Sequence, residues 1–163
     1  MTLFTLELWC RLIASLVASC AFAVVFRTAP RHLPYAAISG VITYFVYHLV
    51  LFLDASVFLA SFLSTVTGAV FAEVYARVRR APAIIILTAA VIPTVPGSAL
   101  YYWVQNLLLG DNDTAMAYLG DTIAVGLGIA CGIVAVSVSF RAISAYITRK
   151  SMLRREAMAK KDD

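Results

Sequence analysis

AVIPTVPGSALYYWV, residues Ala90 to Val104, decides how this chain folds. The stretch is oily enough to lie in lipid, yet it places Pro93, Pro96 and Gly97 within five residues. Proline has no N–H to donate and disfavours helix in the residue before it, while glycine tolerates torsions closed to other residues. The segment therefore reads as an interrupted helix. One half ends near Pro93 with carbonyls set free; the second starts at Gly97 or Ser98, with unpaired N–H groups and the positive end of its dipole facing the break.

The chain around this stretch is 163 residues long, 62% hydrophobic and only 13% charged. A soluble domain is about 25% charged and about 45–50% apolar, so the solvent is a bilayer and a soluble catalytic domain is excluded. Apolar runs cover Leu3 to Phe26, Leu33 to Leu53, Ser56 to Tyr75, Ala83 to Leu109 and Ala115 to Phe140. Each reaches the roughly 20 residues that a helix needs to cross about 30 Å of hydrocarbon. The expected fold is all-α: a polytopic membrane helix bundle of about five transmembrane helices, the fourth broken at Pro-x-x-Pro-Gly. Short connectors leave one membrane domain, 1–148, followed by a basic cytoplasmic tail, 149–163.

The basic residues set the expected orientation. Arg27 and Arg31 follow the first run, Arg77, Arg79 and Arg80 follow the third, and Arg141, Arg149, Lys150, Arg154, Arg155, Lys160 and Lys161 follow the fifth. The opposite connectors carry Asp54, Asp111 and Asp113 and no Lys or Arg. The positive-inside rule then places the N-terminus outside and the C-terminus in the cytoplasm. The net charge of +4 is thus a topology signal and not a nucleic-acid footprint. The tail can also lie on anionic inner-leaflet lipid. The VASC stretch at Val17 to Cys20 resembles a weak lipoprotein cleavage box, but Glu7 is the first charge and the apolar run continues to Phe26, so the segment reads as an uncleaved span. Cys10, Cys20 and Cys131 have neither Cys-x-x-Cys spacing nor a histidine at ligand spacing, so no metal site or cofactor is expected.

Ionisable residues inside spans are costly unless paired or facing water. Glu7 and Arg11, spaced i, i+4, read as a structural ion pair; Glu73 and Arg77 have the same spacing near a span end. His48 lies near the outer end of the second span. Asp121 lies several residues inside the fifth span with no opposite charge at i±3 or i±4. It is either a helix-to-helix hydrogen-bond partner or a proton-carrying acid, with Glu73 a weaker second candidate for proton coupling. Gly120, Ala124, Gly128 and Gly132 form a row of small residues on the fifth span, and Ser61, Ser64, Thr65, Gly68 and Ala72 form a looser one on the third. Both rows read as helix contacts.

Eleven residues lead from Ala83 to Pro93, which at the helical rise is about 16 Å, the middle of the bilayer. Irregular backbone at that depth survives only inside protein or against a water-filled cavity. Broken helices of this kind supply midplane sites in transporters, where half-helix N-termini face anionic groups. The candidate substrate-binding residues are Pro93, Pro96, Gly97, Ser98, Tyr101, Tyr102 and Gln105.

FRTAPRHLPYAAISG after the first span, FLASFLSTVTGAVFAEVYAR in the third and above all VIPTVPGSALYY in the fourth resemble the small subunit of the threonine/serine exporter family. The likeness includes the split, two-component form implicated in succinate export. It covers roughly Ala23 to Gln105, and Pro93, Pro96 and Gly97 match the family's motif. The resemblance implies a bacterial inner-membrane exporter of a small carboxylate metabolite, not an enzyme, acting as a hetero-oligomer with a larger helical subunit. A non-transporting scaffold or assembly subunit is the alternative. An intramembrane protease fails for lack of a complete Gly-x-Gly-Asp around YLGD and of a histidine near Ser98.

Overall fold

The computed structural model describes residues 6–162, and the start of the first apolar run at Leu3 lies outside them. Six α-helices account for the fold: α1 (Leu6–Val25), α2 (Leu33–Phe52), α3 (Val57–Arg79), α4 (Ala83–Val91), α5 (Gly97–Leu109) and α6 (Asn112–Asp162). Short 3-10 turns occupy Pro30–His32 and Ile92–Thr94. There is no strand among the described residues. Helices α1, α2, α3 and the first part of α6 are each long and apolar enough to cross a membrane; the bent pair α4 and α5 makes a fifth crossing if counted as one span. Helix α6 continues through the basic segment from 149, whose side chains beyond Lys150 lie outside the described residues.

Local chemistry sets the helix ends. Ser56 caps α3 by accepting the Leu59 N–H at 3.3 Å, and Arg80 closes the same helix in the left-handed region at φ 51°. Gly110 ends α5 at φ 81°. Asp111 stands at the N-cap position of α6 and accepts the Thr114 N–H at 3.2 Å. Hydrogen bonding from Thr114 holds its carboxyl below the usual carboxylate value.

The bundle is small inside and large outside. Ala36, Ser39, Gly40 and Thr43 of α2 are buried, as are Ala60, Ser61, Ser64, Thr65, Gly68 and Ala72 of α3, whereas Leu6, Ile13, Val17, Val25, Leu108 and Val134 are exposed. That pattern suits lipid, where tails solvate leucine as well as protein does and helices associate through close backbone approach. Ser39, Thr43, Ser61 and Ser64 satisfy their hydroxyls on carbonyls of their own helix at 2.7–3.0 Å, so they need no partner across the interface.

Glycines mark the crossings. A Cβ on Gly40 would lie 1.8 Å from Ser19 Oγ of α1, one on Gly68 would lie 2.6 Å from Thr43 Oγ1 of α2, and one on Gly128 would lie 2.7 Å from the Phe58 carbonyl of α3. Gly132 meets Thr65 at 3.0 Å. Ser61 and Thr65 of the α3 row therefore face Gly128 and Gly132 of the α6 row, with α3 and α6 parallel, while Gly68 faces α2. The α6 row is shorter than expected: a Cβ on Gly120 meets nothing within 4 Å, because α3 begins only at Val57, opposite Gly128. Helix α5 packs chiefly on α6 and buries none of its residues.

Candidate functional site

Between α4 and α5 the chain bends by 43°. The Ile92 carbonyl accepts the Val95 N–H at 3.2 Å, and the Val91 carbonyl accepts the Thr94 hydroxyl at 2.8 Å. Carbonyls expected to be free at the break are thus partly reclaimed locally. The amide side is different. Gly97 N–H donates to the Val95 carbonyl at 2.8 Å and Leu100 N–H to the Pro96 carbonyl at 3.0 Å. Ser98 and Ala99 lie at the second and third helical positions, which have no intrahelical acceptor, and no side chain caps this end.

Ser98 and Ala99 line a cavity of about 490 Å³. Its walls come from the bend and from five of the helices: Arg11 of α1, Tyr44 and Tyr47 of α2, Val57 of α3, Pro93 and Pro96 of the bend, Tyr102 of α5, and Tyr118 and Asp121 of α6. It lies toward the end of the bundle that holds the N-termini of α1 and α3. Arg11 donates to Glu7 at 2.6 Å and, with five N–H groups on a guanidinium, retains donors for the cavity. Tyr47 is within electrostatic range of Asp121. Tyr102 stacks on Tyr118 with ring centroids 5.4 Å apart and meets Tyr101 edge-on at 5.4 Å, which fixes the α5 wall against α6.

The structure thus gathers Pro93, Pro96, Ser98, Tyr102 and Asp121 around one space and adds Arg11. Gly97, Tyr101 and Gln105 are exposed and do not line it. Glu73 stands apart, 4.0 Å from Arg77. Arg77 in turn donates to the Phe140 carbonyl at 3.3 Å and to Ser144 at 3.0 Å, which ties the last turns of α3 to the middle of α6. His48 lines a separate small space with Leu8, Phe45, Leu49 and Phe52. One expectation needs correcting: Gly97 has no positive φ, and a Cβ there would meet nothing within 4 Å. Its backbone is ordinary, because the two prolines and the turn at Val95 already make the break.

Arg11 and the tyrosines Tyr44, Tyr47 and Tyr118 were not legible as cavity residues. Arg11 has a perfect i−4 partner in Glu7, which accounts for it without a cavity, and the tyrosines are ordinary residues for membrane helices.

A family model described as "Threonine/Serine exporter, ThrE" matches residues 11–139. The chain belongs to the threonine/serine exporter family. It is a multi-pass membrane transporter of the threonine/serine type, not an enzyme. The matched range holds every residue that lines the large cavity, from Arg11 to Val125. No curated protein and no solved structure matches this exporter chain.

Proposed function

We propose that this chain is the small subunit of a secondary exporter of carboxylate-bearing metabolites, threonine, serine or succinate, working in the bacterial inner membrane with a larger helical subunit. The bent pair α4 and α5 is one broken span, with the N-terminus of the chain outside and the C-terminus cytoplasmic. The observation that carries the reading is the convergence, on one 490 Å³ cavity, of Arg11 and the uncapped start of α5. A carboxylate there accepts hydrogen bonds from the Ser98 and Ala99 amides and the Arg11 guanidinium, in a setting where ionic hydrogen bonds are strong. Export proceeds by alternating access to this cavity.

Two features support a partner. Five crossings are few for a carrier that rocks one bundle against another. Helix α5 buries nothing and presents Tyr101, Val104, Leu107 and Leu108 outward; Gly97, with open space before it, belongs to the same uncovered helix. Proteoliposomes holding both subunits are expected to move threonine, serine or succinate, and those holding this chain alone are not. Robust flux through the isolated chain would overturn the two-component reading.

Asp121 is the proton carrier of the proposed cycle: it is the acid of α6 that lines the cavity, whereas Glu73 is held beside Arg77 away from it. Asp121→Asn is expected to leave a complex that purifies intact but no longer accelerates export when an inward proton gradient is imposed. A gradient response equal to that of the wild type would remove Asp121 from the coupling.

A further inference from the structure

The opposite end of α2 holds a second cavity of about 370 Å³, lined by Arg31, His32, Pro34, Tyr35, Tyr75 and Arg79. Tyr35 and Tyr44, which mark the two cavities, are nine residues apart on α2, about 14 Å at the helical rise. Nothing in the proposed transport cycle uses this second space.

Its chemistry is one-sided. Arg31 comes from the connector after α1 and Arg79 from the last turn of α3, and both act electrostatically on Tyr75. Neither has a carboxylate within 4.0 Å among the described residues; the ion pairs there are Glu7 with Arg11 and Glu73 with Arg77. Arg79 instead donates to the Tyr35 hydroxyl at 2.6 Å and lies over the Tyr35 ring.

Beneath the arginines is a buried relay. His32 and Tyr75 are 5% and 7% exposed. Arg31 Nε donates to His32 Nε2 at 3.1 Å, so in the neutral imidazole Nε2 is the acceptor and Nδ1 carries the proton. Nδ1 stands 2.5 Å from the Tyr75 hydroxyl and donates to it. The tyrosine oxygen is thereby occupied as an acceptor, and its own O–H is left to donate elsewhere. Tyr35 is in the same position, accepting from Arg79. Two guanidinium groups and two phenol O–H groups therefore border one space that, among the described residues, contains no anionic side chain.

We propose that this cavity binds a phosphate group, held by Arg31 and Arg79 with the Tyr75 hydroxyl as a third donor. A carboxylate has two oxygens and one charge; a phosphate offers up to four acceptor oxygens, which matches two guanidinium forks plus phenol donors. The group comes from an anionic phospholipid headgroup or from phosphate in solution. The inference is independent of the export reading, because it uses neither the bend nor Asp121.

The test is thermal unfolding of the full-length chain, purified in detergent and stripped of lipid. Three probes are added separately: inorganic phosphate, phosphatidylglycerol, and the zwitterionic phosphatidylcholine. A rise in Tm with phosphatidylglycerol well above that with phosphatidylcholine, and none with inorganic phosphate, supports the site and assigns the headgroup as source; a saturable rise with inorganic phosphate supports it and assigns the free ion. Arg31→Gln and Arg79→Gln are each expected to weaken the response about tenfold or more in probe concentration, while Arg141→Gln, outside the cavity, does not. If the arginine variants do not fold, Tyr75→Phe keeps the ring and removes the hydroxyl, which is both the third donor and the acceptor for His32 Nδ1, and is expected to weaken the response as well. A folded wild type that responds to neither anionic probe, or a response undiminished in the folded Arg31, Arg79 and Tyr75 variants, overturns the proposal.

Discussion

Arg11→Gln, coexpressed with the larger subunit, is expected to give an assembled complex whose export falls about 10- to 100-fold, because a hydrogen bond to a charged group contributes about 1.5–3 kcal/mol. The reason lies in where Arg11 stands. Its ion pair with Glu7 is exposed along the helix, and such pairs contribute little to stability. Loss of the guanidinium therefore spares the fold of α1 while taking away the one cationic side chain that, among the described residues, lines the large cavity. The measurement is flux per purified complex, with complex yield recorded beside it. Lowered yield with unchanged flux per complex would instead favour the scaffold alternative and place Arg11 in assembly. Lost flux at normal yield is the transport result.

The second large effect is structural. Gly40→Ala is expected to destabilise the chain by about 1–3 kcal/mol, a fall in Tm of about 3–10 °C. The new methyl would lie 1.8 Å from Ser19 Oγ and 2.6 Å from Ser19 Cβ. Rotating the serine moves only the first of these atoms, so α1 and α2 must separate. Ser19 Oγ is itself buried without a hydrogen-bond partner among the described residues, so it offers nothing in return for its space. The double variant Ser19→Gly with Gly40→Ala moves the methyl across the interface and is expected to recover most of the loss, less the cost of a helical glycine. Thermal unfolding in detergent compares the pair; a double variant no more stable than Gly40→Ala alone would mean that α1 and α2 do not cross there. The same contact bears on function, since Pro93 Cγ lies 3.4 Å from the Gly40 Cβ position and the bend is seated against this crossing.

Much of the fold was legible from residue order. The first four apolar runs became a helix or helix pair within a few residues of their expected bounds, because length and hydrophobicity are local properties that a bilayer reads one segment at a time; the fifth began as expected but its helix continues past Phe140 to Asp162. Pro93 and Pro96 announced the bend for the same reason: a missing N–H is a property of the residue, whatever surrounds it. Glu7 with Arg11 and Glu73 with Arg77 were visible because i, i+4 spacing on a helix brings side chains together without help from other elements.

What the sequence by itself determined, then, is the set of helices, the place of the interruption and the pairs within one helix. The tertiary structure alone decided that Arg11, Tyr44, Pro96 and Asp121 surround one space, that Gly128 meets α3 while Gly120 meets nothing, and that Arg31 and Arg79 share a cavity over His32 and Tyr75. The physical reason is that these relations depend on the rotation and depth of one helix against another. Small-residue contacts between helices fix both, and a one-residue change in register turns a helix by about 100° and would face Asp121 elsewhere.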